Sequence, residues 1–278
     1  MIPKKKLGMT LVEVLVAIVI GVISAAAIFY SYNIFNKSYQ SVADKAVMNT
    51  SARNALSVIL KDLRNAGYCD LNFKDSKDCD LIIQKKDNHY AGVKNYTVNF
   101  YQYYSGKGPD YLAIWYNTPA TDRYNLKRTE IRYFLTRYEN NVNEMYLARE
   151  VIENPTTNPK RVYCESYSAQ KNCSPESIVP FASDFQVVFI DKDGNEVRNV
   201  CFRDPCAPSQ TEKDNQLKVH TVEIYLTVRS PNKIYRETKE VILINHDPAS
   251  GGREQKTNDR YHRETFYASV YLRNIAKN

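Results

Sequence analysis

The chain of 278 residues carries 38 lysines and arginines against 31 aspartates and glutamates, a formal net charge of +7, and 43% of its residues are apolar. That length allows one or two domains, with ample chain for a core. Three of the lysines, Lys4, Lys5 and Lys6, stand together near the N-terminus; taking these 3 from the 38 leaves 35 basic against 31 acidic side chains, a net of +4, too mild to imply a nucleic-acid partner by itself.

After the lysines come Leu7 and Gly8, then Met9-Thr10-Leu11-Val12-Glu13, then an apolar run from Val14 to Phe29 interrupted only by the small residues Gly21 and Ser24. No charge occurs between Glu13 and Lys37. As a helix those 23 residues span about 35 Å, enough for a bilayer hydrocarbon core of roughly 30 Å. The sequence therefore predicts a membrane-spanning helix with its basic flank in the cytoplasm and everything after Asn36 beyond the membrane. A secretory signal is cut after its apolar stretch; here the small residue, Gly8, comes before it. A carboxylate at the mouth of a membrane helix is costly without a partner. Cleavage after Gly8 makes the amine of Met9 a natural counter-charge for Glu13, its own or a neighbour's. The competing reading is an uncleaved anchor whose Glu13 snorkels to the interface.

Beyond the apolar run, Phe35, Tyr39, Val42, Ala46, Ala52, Leu56, Ile59 or Leu60, Leu63 and Ala66 recur at steps mostly of three and four, one apolar stripe of an amphipathic helix. No proline falls between Pro3 and Pro109, and Gly67 follows the last periodic residue as a C-cap. The prediction is a single helix over residues 9–66, about 87 Å long by its rise. The weak helix formers Asn49, Thr50 and Ser51 mark a place for it to bend.

From Leu81 the period becomes two. Strands are predicted over residues 97–103, 111–116, 129–137, 144–151, 184–190, 219–228, 239–244 and 264–272, with turn signals at 106–110, 154–159, 193–194 and 230–232. Residues 246–263 read as a mobile polar hairpin loop. One helix followed by many strands gives an α+β fold. A long N-terminal α-helix, transmembrane in its first half and amphipathic in its second, packs on antiparallel β-sheet.

The string from Gly8 to Glu13 behind a basic leader resembles the prepilin cleavage site of type IV pilins and type II secretion pseudopilins. The resemblance implies a pilin-like fold and a leader, residues 1–8, removed after Gly8 by the prepilin peptidase. It implies an N-methylated Met9, standing where the family most often has phenylalanine, and a Glu13 that pairs with the N-terminal amine of an adjacent subunit. It also implies a division of the chain. Residues 9–36 form the transmembrane and filament-core helix, 37–67 the amphipathic half of that helix, and 68–278 a mostly antiparallel β domain in the periplasm or outside the cell. Residues 185–194, 219–230 and 263–274 are similar to successive blocks of the minor pilins called PilW and of the related pseudopilin GspJ. On that likeness the chain is a structural subunit of a pilus tip or assembly-initiation complex, held in the bacterial inner membrane and then part of a filament. Its partners are other minor and major pilins or pseudopilins and the prepilin peptidase/methyltransferase. The same family also includes subunits of type II secretion systems and competence pilins that bind DNA.

Six cysteines, Cys69, Cys79, Cys164, Cys173, Cys201 and Cys206, fit an oxidising compartment. Each neighbouring couple lies in a loop-like stretch, so three local disulfides are the economical expectation, although six cysteines allow fifteen connectivities. Their spacings are not those of a zinc knuckle. Four scattered histidines, with no HExxH pair, GxSxG elbow or Gly-rich phosphate loop, give catalysis little support, and no cofactor is expected. The run from Asp191 to Glu196 offers oxygen ligands for calcium, but its glycine comes at the fourth place where an EF-hand needs it at the sixth. A hairpin turn on Asp193-Gly194 explains it more simply. A basic, aromatic stretch holding Arg123, Lys127, Arg128, Arg132 and Arg137 among Tyr124, Tyr133 and Tyr138 is the candidate DNA surface. Alternation along a strand from Thr129 sends part of that set into the core, so a solvated face is the favoured reading.

Overall fold

The structure is a computed structural model that describes residues 10–68, 83–86, 111–118, 127–138, 141–153, 175–197, 215, 217–235, 237–243 and 255–273. Among the described residues one helix, α1 (Leu11–Asn65), is followed by ten strands: β1 (Ile83–Lys86), β2 (Tyr111–Thr118), β3 (Lys127–Tyr138), β4 (Asn141–Glu153), β5 (Glu176–Pro180), β6 (Ala182–Ile190), β7 (Thr221–Lys233), β8 (Lys239–Leu243), β9 (Gln255–Asp259) and β10 (Tyr261–Tyr271). The chain divides into two compact units, residues 1–46 and 47–278. This is the α+β arrangement read from the pattern, with every strand pairing antiparallel.

The first unit is helix from Leu11 on, and from Leu11 to Gln40 every residue of it is exposed. No proline interrupts it, and α1 runs through Gly21 and also through Asn49, Thr50 and Ser51, where a bend was expected. Met48 and Ala52, buried on either side of that triplet, hold those turns in place by packing. At the far end Gly67 takes a φ of 72°, the left-handed cap that a side chain would strain.

In the second unit the helix stripe is buried. Met48, Ala52, Ala55, Leu56, Ile59 and Leu63 join one core with Leu112 and Ile114 of β2, Ile131, Tyr133 and Leu135 of β3, Leu147 of β4, and the inward residues of β6 and β7. Each buried leucine or isoleucine contributes about 1.5–3 kcal/mol, so this half of α1 is held by burial rather than by helix propensity. Strands β1 to β5 form a meander in sequence order. A second sheet has the order β10-β7-β6, and β8 and β9 form a two-stranded ribbon in the long connection from β7 to β10.

The chain passes between the two larger sheets at Phe181, which adopts a φ of 57°. Its carbonyl accepts the N–H of Arg229 at 2.9 Å, and the Arg229 guanidinium lies over its ring at 5.2 Å and over that of Tyr261 at 4.2 Å. The corner is thus closed by a backbone hydrogen bond and by cation–π contacts.

Several sequence expectations change here. The expected strand over 97–103 lies outside the described residues. The polar loop expected over 246–263 is too long, because β9 occupies Gln255–Asp259 and β10 begins at Tyr261. β9 has no apolar residue; its backbone ladder with β8 makes it a strand, helped by the Thr257 hydroxyl donating to the Val241 carbonyl at 3.4 Å. Neither β1 nor β5 was foreseen. β5 ends in Pro180, which an edge strand tolerates and which a search for uninterrupted alternation rejects.

Candidate functional site

The helix start carries the first candidate. Thr10 is the N-cap of α1: its Oγ1 accepts the N–H of Glu13 at 3.3 Å, and its own N–H donates to Glu13 Oε2 at 3.3 Å. This is the reciprocal capping box, and it turns the Glu13 carboxylate back toward the helix N-terminus, where unsatisfied N–H groups and the helix dipole favour a negative charge. Thr10 was missed in the sequence, although the Thr-x-x-Glu spacing is its signal. Behind it, α1 is long and apolar enough to cross a membrane. Gly8 and Met9, the expected processing residues, lie outside the described residues.

The candidate DNA surface does not come together as read. Arg123 lies outside the described residues, and Lys127, Arg128 and Arg137 are placed on β3 by their backbone. Arg132 is a correction. Only 1% exposed, it donates from Nε to Glu130 Oε1 at 2.8 Å and from Nη1 to Glu150 Oε2 at 3.4 Å. β3 is the central strand of its sheet and both of its faces are covered, with Ile131, Tyr133 and Leu135 buried on one side and Glu130, Arg132 and Phe134 on the other. An arginine buried against two carboxylates cannot meet a phosphate without leaving both.

The run from Asp191 to Glu196 forms the turn that its Asp-Gly pair predicts. Asp191 Oδ1 accepts the N–H groups of Asp193 and Asn195 at 2.8 Å each, Asp191 N–H donates to the Asn195 carbonyl at 2.9 Å, and Gly194 takes a φ of 86°. The Asp191 carboxyl is held below the ordinary carboxylate value by those hydrogen bonds, the Asn195 backbone first. Its lone pairs serve the turn. All six cysteines, His89 and His246 lie outside the described residues.

A polar cluster within the helix–sheet core was not foreseen. Asp62 of α1 accepts hydrogen bonds at Oδ2 from the Tyr133 hydroxyl and from Arg149 Nε, the latter at 2.9 Å. Arg149 Nε also lies 3.3 Å from the Tyr133 oxygen, and its Nη1 is 3.9 Å from Glu176 Oε2. Burial, and then the Asp62 charge and hydrogen bond, push the Tyr133 phenol well above its ordinary value, so it remains a donor. The cluster joins α1 to β3, β4 and β5. Asp62 carries no distinguishing mark among the polar positions of the helix.

Residues 3–29 match the family model of the prokaryotic N-terminal methylation motif. No curated protein matches the chain. Among solved structures, a type IV-like pilin from Thermus thermophilus aligns at 12% identity and a TM-score of 0.40, covering 82% of this chain and 98% of that one. The chain thus carries a prepilin-type methylation motif at the head of an apolar helix that leads into an antiparallel β domain.

Proposed function

We propose that this chain is a minor pilin or pseudopilin, a structural rather than enzymatic subunit that is trimmed after Gly8, methylated on Met9 and drawn from the membrane into a filament through α1. The carrying observation is the methylation motif over residues 3–29, continuous with a helix whose apolar residues are exposed from Leu11 to Gln40. Such a surface needs lipid before assembly and neighbouring helices after it. Glu13 selects and registers the incoming subunit by pairing with an N-terminal amine in a low-dielectric bundle, where an unpaired charge is costly. The resemblance to the PilW and GspJ blocks supports a place in a tip or initiation complex with other minor subunits.

Intact mass of the membrane-extracted protein, beside that of a Gly8→Val variant, tests the reading. Loss of the first eight residues and one added methyl, both abolished in the variant, is the expected outcome. A full-length, unmodified chain in both samples would remove the filament reading.

A further inference from the structure

The outward face of the β7–β10 pair carries an arrangement that neither the anchor nor the methylation motif uses. Along β10 the residues Thr265, Tyr267, Ser269 and Tyr271 are exposed, while Val270 and Leu272 enter the core. Along β7, Val222, Ile224, Leu226 and Val228 point inward, leaving Thr221, Glu223 and Tyr225 outward. The register stacks these into rows: Tyr225 opposite Tyr267, Glu223 opposite Ser269, Thr221 opposite Tyr271. The aromatic rows at positions 267 and 271 are four residues apart, about 13 Å. Between them lies a row holding one carboxylate and one small side chain.

The carboxylate is held in place. Tyr225 Oη donates to Glu223 Oε2 at 2.9 Å and Tyr267 Oη donates to Glu223 Oε1 at 3.0 Å, and the two rings lie against each other with centroids 5.1 Å apart. On the other side the Tyr271 ring contacts that of His220 at 5.9 Å. Tyr267 and Tyr271 are 54% and 52% exposed. Burial, and then the bond to Glu223, raise the Tyr225 phenol, so its hydroxyl stays a donor. No arginine, lysine or histidine among the described residues forms an ion pair with Glu223.

We infer that this slot receives an arginine side chain from a partner protein. A carboxylate has about four lone-pair positions, and two tyrosine hydroxyls leave two free, one on each oxygen, the spacing that a guanidinium fork matches. Tyr267 and Tyr271 stay half exposed beside the carboxylate row, and aromatic rings are what a planar cation stacks on. Ser269, opposite Glu223 in the register, is exposed and its side chain also hydrogen-bonds Tyr267. Lysine satisfies the charge but neither the fork nor the stacking. A neutral sugar would use the rings and hydroxyls and gain nothing from the charge.

The test uses the full chain in detergent micelles, labelled with 3-fluorotyrosine, with the Tyr267 and Tyr271 signals assigned by Tyr→Phe variants. The probes are blocked Gly-Arg-Gly, its lysine and citrulline counterparts, and glucose. Expected are saturable shifts of both signals with the arginine peptide, weakened at least tenfold by citrulline or by Glu223→Gln, and weakened by added salt. Ser269→Lys, which sets an ammonium across from Glu223 at an exposed position, should block the shift and serves as a second test if Glu223→Gln disturbs folding. Equal binding of the arginine and citrulline peptides, saturation by glucose but not arginine, or no saturable shift with any probe would each overturn the assignment.

Discussion

Asp259 shows how one carboxylate organises the end of a strand. Burial pushes its pKa up, but both oxygens accept hydrogen bonds from Arg263 at 2.6 Å, Oδ1 also accepts the Tyr261 N–H at 3.0 Å, and the charges of Arg263 and Arg229 add to these, so the carboxyl ends below its ordinary value. A folded-state pKa below the unfolded value, about 3.9, means that the stabilisation is complete above that pH. It is lost as the pH falls from there through the folded value. Asp259→Asn should therefore lower the denaturation midpoint at pH 7 and flatten its decline below about pH 4. Parallel acid profiles for the two proteins would show that this pair contributes nothing.

The junction of α1 with the sheets rests on an apolar stripe and on the Asp62 cluster. Deleting the carboxylate leaves the buried Tyr133 hydroxyl and the half-buried Arg149 without their shared acceptor, so Asp62→Ala should cost about 2–3 kcal/mol. Tyr133→Phe leaves the Asp62–Arg149 pair intact and should cost about 1 kcal/mol. Urea denaturation of the detergent-solubilised chain gives both values, and hydrogen exchange over residues 48–66 should rise in the same order; two neutral substitutions would mean that burial alone holds the helix. The apolar stripe was legible in the sequence because Ala52, Leu56, Ile59 and Leu63 follow the helical period. Asp62 was not, because a polar residue on a helix declares nothing until the facing strand supplies a hydroxyl and a guanidinium. Arg132 was misread for the complementary reason. Alternation placed it opposite Ile131 and Leu135, and only the covering of the second face turned that side inward as well. The strands were legible where β-branched and aromatic residues alternate, as in β3 and β7, and illegible where backbone pairing alone makes them, as in β9. The tyrosine slot depends on a register between strands more than thirty residues apart, which no local pattern specifies.

At the scale of the whole molecule, the two ends of α1 carry different duties on one continuous helix. From Val47 on, the helix is part of a folded β domain; before it, the helix exposes its apolar surface and folds Glu13 back on Thr10. The hydrogen bonds of Glu13 to Thr10 are local to the helix start, so replacing it removes one half of a capping box, about 1 kcal/mol of local helix stability. Glu13→Ala should accordingly leave the unfolding midpoint of the β domain unchanged while sharply reducing the fraction of the protein recovered in sheared filaments. Thr10→Ala separates the two roles of the carboxylate: it removes the cap and keeps the charge, and should incorporate better than Glu13→Ala if the charge is what registers the incoming subunit. Equal incorporation of Glu13→Ala and the unaltered chain would show instead that apolar packing along α1 suffices for assembly.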